Sequence, residues 1–140
     1  MTSEALAELL RRHLEAENAR QMDDTLATLT EDCVFDDRAL GRVFHGRDGA
    51  RDYYRIWWDA FAPTVTPEQL YWRDDGGIVA ETRFRGVHTG PYLGIEPTGC
   101  EIDVPVVILA HFADGLMAGE RFYYDVATIG RQLGAVPGLV

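Results

Sequence analysis

The residues best suited to chemistry stand near the C-terminal end. An apolar run from Ile102 to Phe112 meets the pair Asp114-Gly115. A second run, Leu116 to Tyr124, then delivers Asp125 just ahead of a helical tail, Val126 to Leu133, closed by Gly134. Asp-Gly between two such runs signals a tight hairpin. A carboxylate flanked by Phe122, Tyr123, Tyr124 and Val126 is costly to ionise, so its pKa is expected to rise into the range where it moves protons. Asp125 is therefore the candidate acid/base. Its competing role is to cap the tail helix, which would lower that pKa instead. His111 stands on the first arm. A clean two-residue loop pairs Ala113 with Leu116 and His111 with Ala118, which leaves Asp125 on the opposite face. A bulge near Gly119 would bring the two to a common face.

The elements that must position these groups follow from periodicity. Thr2 or Ser3 caps a first helix to about Arg20, with Leu6, Leu9, Leu10 and Leu14 inward. Asp23 or Asp24 opens a shorter helix. Cys33-Val34-Phe35 reads as a strand, Asp36-Asp37 as a solvated turn, and Gly41 to Phe44 as a turn with a brief extended piece. A third helix runs from Gly46 or Asp48 to Phe61, before Pro63. Ala50, Tyr53, Tyr54, Trp57, Trp58 and Phe61 fall on one broad face of it. Strands follow at Leu70–Arg73 and Ile78–Val87, with Arg83 and Arg85 on the outer face. The Gly/Pro-rich stretch Thr89–Gly99 is a loop, and the terminal hairpin closes the chain. Helices followed by an antiparallel meander predict an α+β domain, a cone-shaped curved sheet wrapped around three N-terminal helices.

Composition narrows the function. The 140 residues suit one domain, 1–140, and no interdomain linker interrupts them. A net charge of -10 argues against nucleic acid as a partner. No apolar stretch reaches a membrane-spanning length and no signal peptide is evident, so a cytoplasmic protein is expected. Cys33 and Cys100 are expected to be reduced. Histidine and cysteine spacings offer no metal site, and no phosphate-cradling Gly loop or Ser-His-Asp context occurs. Lysine is absent from the chain, which excludes a lysine-imine aldolase.

Several strings carry a resemblance: Phe44-His45-Gly46-Arg47-Asp48-Gly49; the loop His88-Thr89-Gly90-Pro91-Tyr92-Leu93-Gly94-Ile95-Glu96-Pro97-Thr98-Gly99; Phe112-Ala113-Asp114-Gly115; Tyr123-Tyr124-Asp125; and Gln132-Leu133-Gly134. With the order of elements, they resemble the SnoaL-like polyketide cyclases of the nuclear-transport-factor-2-like superfamily, over nearly the whole chain. The resemblance implies a cofactor-free intramolecular aldol ring closure. Asp125 would be general acid/base and His111 its pocket companion. The substrate would be a hydrophobic, oxygenated small molecule such as a polyketide. The chain departs from the family at Gly119-Glu120-Arg121, where many members carry paired acidic residues. The candidate substrate contacts are Trp57, Trp58, Tyr54, His88, Phe35 and Tyr123. The expected cavity is bordered by Trp57 or Trp58 and opens near the 89–99 loop. A homodimer with sheet faces in contact is expected. The alternatives are an isomerase, dehydratase or epoxide hydrolase in the same pocket, or a binding module without chemistry.

Overall fold

The computed structural model describes residues 1–136. Thr2 caps α1 (Ser3–Asn18) by accepting the Ala5 N–H at 3.0 Å. A short α2 (Met22–Leu26) leads into β1 (Leu29–Asp37), β2 (Arg42–His45) and α3 (Gly46–Phe61). Ala62, in the left-handed region, ends α3 ahead of Pro63, which cannot continue a helix. Four strands follow, β3 (Thr64–Trp72), β4 (Ile78–Val87), β5 (Glu101–Ala113) and β6 (Leu116–Tyr123), then α4 (Val126–Leu133).

The expected hairpin is present. Asp114 and Gly115 both have positive φ, at 54° and 76°, the backbone that a two-residue turn between twisted strands requires. Ala113 pairs with Leu116. The six strands form one unclosed sheet in the order β2-β1-β6-β5-β4-β3. The run β3 to β6 is the expected antiparallel meander, but β1 lies parallel beside β6, so the sheet is mixed. Nothing in a strand's own residues says which neighbour it will join. The third strand begins at Thr64, earlier than its pattern suggests, because a register shift between Pro67 and Gln69 interrupts the alternation.

The core lies between α3 and the sheet. Phe35 packs edge-on against Tyr53 and Tyr54, and Trp57 against Phe84 and Tyr124. Asp37 is a correction to the solvated turn: it is fully buried. Its Oδ2 accepts the hydroxyls of Tyr53 and Tyr124, each at 2.7 Å, and its Oδ1 accepts the Leu40 N–H at 2.8 Å. That carboxylate ties β1, α3 and the end of β6 together. Both cysteines are free. No helix among the described residues is long and apolar enough to cross a membrane.

Candidate active site

A cavity of about 360 Å³ lies between α1 and the sheet. Its walls are aliphatic: Leu10 and Leu14 from α1, Val65 and Leu70 from β3, Ile78 from β4, Ile108 from β5. Small residues at Ala80 and Ala110 leave the room that larger side chains would fill. His13, Glu17 and Glu120 line it together, and Arg11, paired with Glu8 and Glu15, stands at its exposed side.

Helix and strand geometry brings them together. His13 and Glu17 are one turn apart on α1. Glu120 sits on β6, in the middle of the sheet, opposite Phe35 on one side and Ala110 on the other. His13 Nε2 lies 3.2 Å from Glu120 Oε1 and 3.4 Å from Glu17 Oε2, and the Tyr54 hydroxyl is 3.4 Å from the same nitrogen. The imidazole's other nitrogen, Nδ1, is 2.7 Å from Thr28 Oγ1. Thr28 spends its single hydroxyl proton on the Thr25 carbonyl, at 2.6 Å. Its oxygen therefore accepts from His13, so Nδ1 carries a proton and Nε2 is the nitrogen that exchanges one.

The electrostatics follow from this crowding. Burial opposes charge on His13, but hydrogen bonds to Glu120 and Glu17 and their negative charge outweigh it and raise its pKa to about 10. Burial raises the carboxyl of Glu17 above its ordinary value, against the pull of His13. Burial, then the charge of Glu120, raises Tyr54 well above the usual phenol range, so it stays a hydroxyl. Glu120 Oε1 is buried, and the group that meets it within the protein is His13 Nε2, at 3.2 Å. A buried carboxylate lining a cavity, with one ion pair to meet this oxygen, has room to accept a donor from a ligand.

The sequence-derived candidates are distributed differently. Asp125 does not reach the cavity. It is exposed, and its side chain caps α4 by accepting the Ala127 N–H at 2.9 Å and the Thr128 hydroxyl at 3.0 Å. The expected rise in its pKa is overturned: those hydrogen bonds, Thr128 first, lower it. The bulge near Gly119 is present, with His111 opposite Gly119 and Phe112 opposite Met117. It turns His111 outward, where the residue is exposed, and Glu120 inward. Tyr123, 40% exposed, is also on the outer side.

Trp57 and Phe35 are packed in the solid core, and Trp58 stacks on Tyr54; none of the three lines the cavity. The cavity lies between α1 and the sheet, and no residue of the 89–99 loop lines it. His88, expected at a pocket mouth, is fully buried against Phe61 and accepts the Thr98 N–H at 3.1 Å, which pins that loop. Tyr54 alone among the expected contacts touches the new cluster. His13 and Glu17 escaped notice although His13 lies on the apolar stripe of α1 with Leu6 and Leu9. A titratable residue on such a stripe was the available signal. Glu120 was the signalled departure from the family pattern.

An α+β cone with acid/base groups on the floor of an apolar cavity defines a class of small-molecule enzymes and binders. The sequence profile of the SnoaL-like polyketide cyclases matches residues 7–133, and the chain belongs to that family. Solved structures agree on the fold. TsrD from Streptomyces laurentii is 26% identical, with a TM-score of 0.82 over 96% of this chain and 98% of that one. A Jannaschia sp. CCS1 protein assigned to the SnoaL-like polyketide cyclases is 24% identical, with a TM-score of 0.83 over 96% and 94%. A Catenulispora acidiphila protein with a ketosteroid isomerase-like fold, solved with trimethylamine, is 17% identical, with a TM-score of 0.77 over 91% and 93%. No curated protein matches the chain by sequence.

Proposed function

We propose that the protein is a cofactor-independent acid/base enzyme of the cyclase or isomerase type. Its substrate would be a hydrophobic, carbonyl-bearing small molecule held in the cavity between α1 and the sheet. The observation that carries this reading is Glu120, a buried carboxylate on the cavity floor with an oxygen left to its ion pair with His13. In the ring closure, Glu120 takes a proton from a carbon beside a carbonyl. The enolate oxygen is stabilised by the His13 Nε2–H and the Tyr54 hydroxyl. The enolate carbon attacks a second carbonyl of the same molecule; the new alkoxide takes the proton of His13 Nε2, and Glu120 hands the proton it removed to that nitrogen, so both groups return to their starting state. Reprotonation of the same enolate at another carbon gives an isomerase, and loss of a neighbouring hydroxyl gives a dehydratase. Opening of an epoxide would use the same groups with water. The aldol assignment rests on family membership. With both cysteines free, a cytoplasmic setting suits the reading.

The test needs no natural substrate. Exchange of the α-protons of 1-tetralone in D₂O, followed by NMR, reports the first proton transfer. The protein should accelerate it. Glu120→Gln should lower the acceleration by roughly a hundredfold or more, the scale of a lost general base. Asp125→Asn should leave it intact. Full exchange activity in Glu120→Gln would return the role to another carboxylate. Binding without any acceleration would favour the non-catalytic module.

A further inference from the structure

Trp72 has a place in the fold that the acid/base chemistry does not use. It is the last residue of β3, an edge strand, and its backbone pairs with Ile78 ahead of the turn at residues 73–77. Its side chain is 63% exposed, while Trp57 is 3% exposed. The indole borders the cavity that holds Glu120, and it also borders a second depression of about 350 Å³. The two spaces share Trp72 and Ser3. Beyond Trp72 the second space is lined by Leu6 and Phe112, with Thr2, Asp75 and Asp114 at its edge.

We propose that these two spaces form one elongated binding site, divided by Trp72, for an amphipathic molecule with a flat apolar body and a hydroxyl-bearing tail. This rests on the acid/base reading of the cavity and extends it to the ligand's far end. The reacting carbonyl lies at the glutamate floor. The body runs between the aliphatic walls and against the indole, whose exposed face is a large apolar area that a ligand would remove from water. The tail emerges beside Asp75 and Asp114. Asp75 is already held by Arg73 and the Gly77 N–H, each at 2.9 Å, so Asp114 is the carboxylate that accepts a hydrogen bond from the tail's hydroxyl. A strand-borne aromatic is a rigid platform, which limits the ordering cost of binding.

Two probes test the inference by calorimetry: 1-tetralone, which fills only the first space, and 6-(2-hydroxyethoxy)-1-tetralone, which reaches past Trp72. The tailed probe should bind about tenfold more tightly to the unmodified protein, the scale of one aromatic contact with a hydrogen bond. Trp72→Ala should erase that difference, and Trp72→Phe should keep most of it. Equal affinity for both probes, or a difference that survives Trp72→Ala, would overturn the extended site while leaving the cavity reading intact. Failure of both probes to bind would overturn the cavity reading and the extension with it.

Discussion

Thr28 never touches the cavity, yet it sets what His13 can do. By donating to Thr25 and accepting from Nδ1, it holds the ring so that Nε2 faces both glutamates. Outer partners of this kind orient a ring and fix where its exchangeable proton sits. Thr28→Val keeps the shape and removes the acceptor. Proton exchange on the tetralone probe should slow by about tenfold with little change in probe affinity, and Thr28→Ser should restore it. ¹⁵N NMR of the imidazole should show a protonated Nδ1 in the unmodified protein and its loss of order in Thr28→Val. Unchanged rates and spectra would reduce Thr28 to packing. The residues of this cluster were only partly legible in the sequence. His13 and Glu17 are one turn apart on α1, but Glu120 comes from β6 near the other end of the chain, and no local spacing joins it to them. Asp125 was legible as a residue but not in its environment, since the aromatics beside it in sequence, Phe122 and Tyr124, turn inward while it turns to solvent.

At the scale of elements, α4 completes the sheet. β6 stops at Tyr123 opposite Val107, so β5 from Glu101 to Val106 has no strand on that side. Gln132 fills part of the gap: its Oε1 accepts the Asp103 N–H and its Nε2 donates to the Asp103 carbonyl, both at 2.9 Å. A side-chain amide here does the work of a neighbouring strand. Leu133, also on α4, is buried in the core. Gln132→Ala leaves two backbone groups of β5 to water and should cost about 1 kcal/mol in chemical denaturation. It should also quicken amide exchange of Asp103 without changing the cavity's chemistry, and an unaltered exchange rate would remove this role. Periodicity located every helix and the Asp-Gly hairpin, because those are local signals. Three features stayed illegible: the parallel pairing of β1 with β6, the length of β3 and the place of the cavity. Each depends on register shifts at Leu29/Val34 and Pro67/Gln69, or on which helix covers which strands. The bulge was legible because Gly119 marks it. A Cβ there would meet the Val34 carbonyl at 2.5 Å and the His111 ring at 2.8 Å.

The buried cluster also reaches the whole molecule through its protons. The folded pKa of His13, about 10, lies above its ordinary value of 6.5, so its stabilisation is complete below about pH 6.5 and is lost as pH rises toward 10. Glu17 acts in the same direction, because ionising a carboxyl whose folded pKa is raised costs stability as pH rises past its ordinary value. The thermal midpoint should therefore fall between pH 6.5 and 9.5, and His13→Gln should flatten that fall; parallel curves for the two proteins would refute the linkage. On the outer sheet face, Val79 pairs with Leu109 and Val107 with Tyr123, an apolar strip whose two rows end in Arg121 on β6 and Glu81 on β4. Asp103 beside it bridges Arg83 and Arg85, which leaves both charge signs close to the strip. A two-fold contact between copies places the same strip on both sides and lets these charges pair across it. We expect a homodimer through this face. Sedimentation at micromolar concentration should give twice the 15.7 kDa chain mass, and Val107→Glu should return the single-chain mass without loss of folding. A single-chain mass for the unmodified protein across that range would show that the sheet face meets water alone.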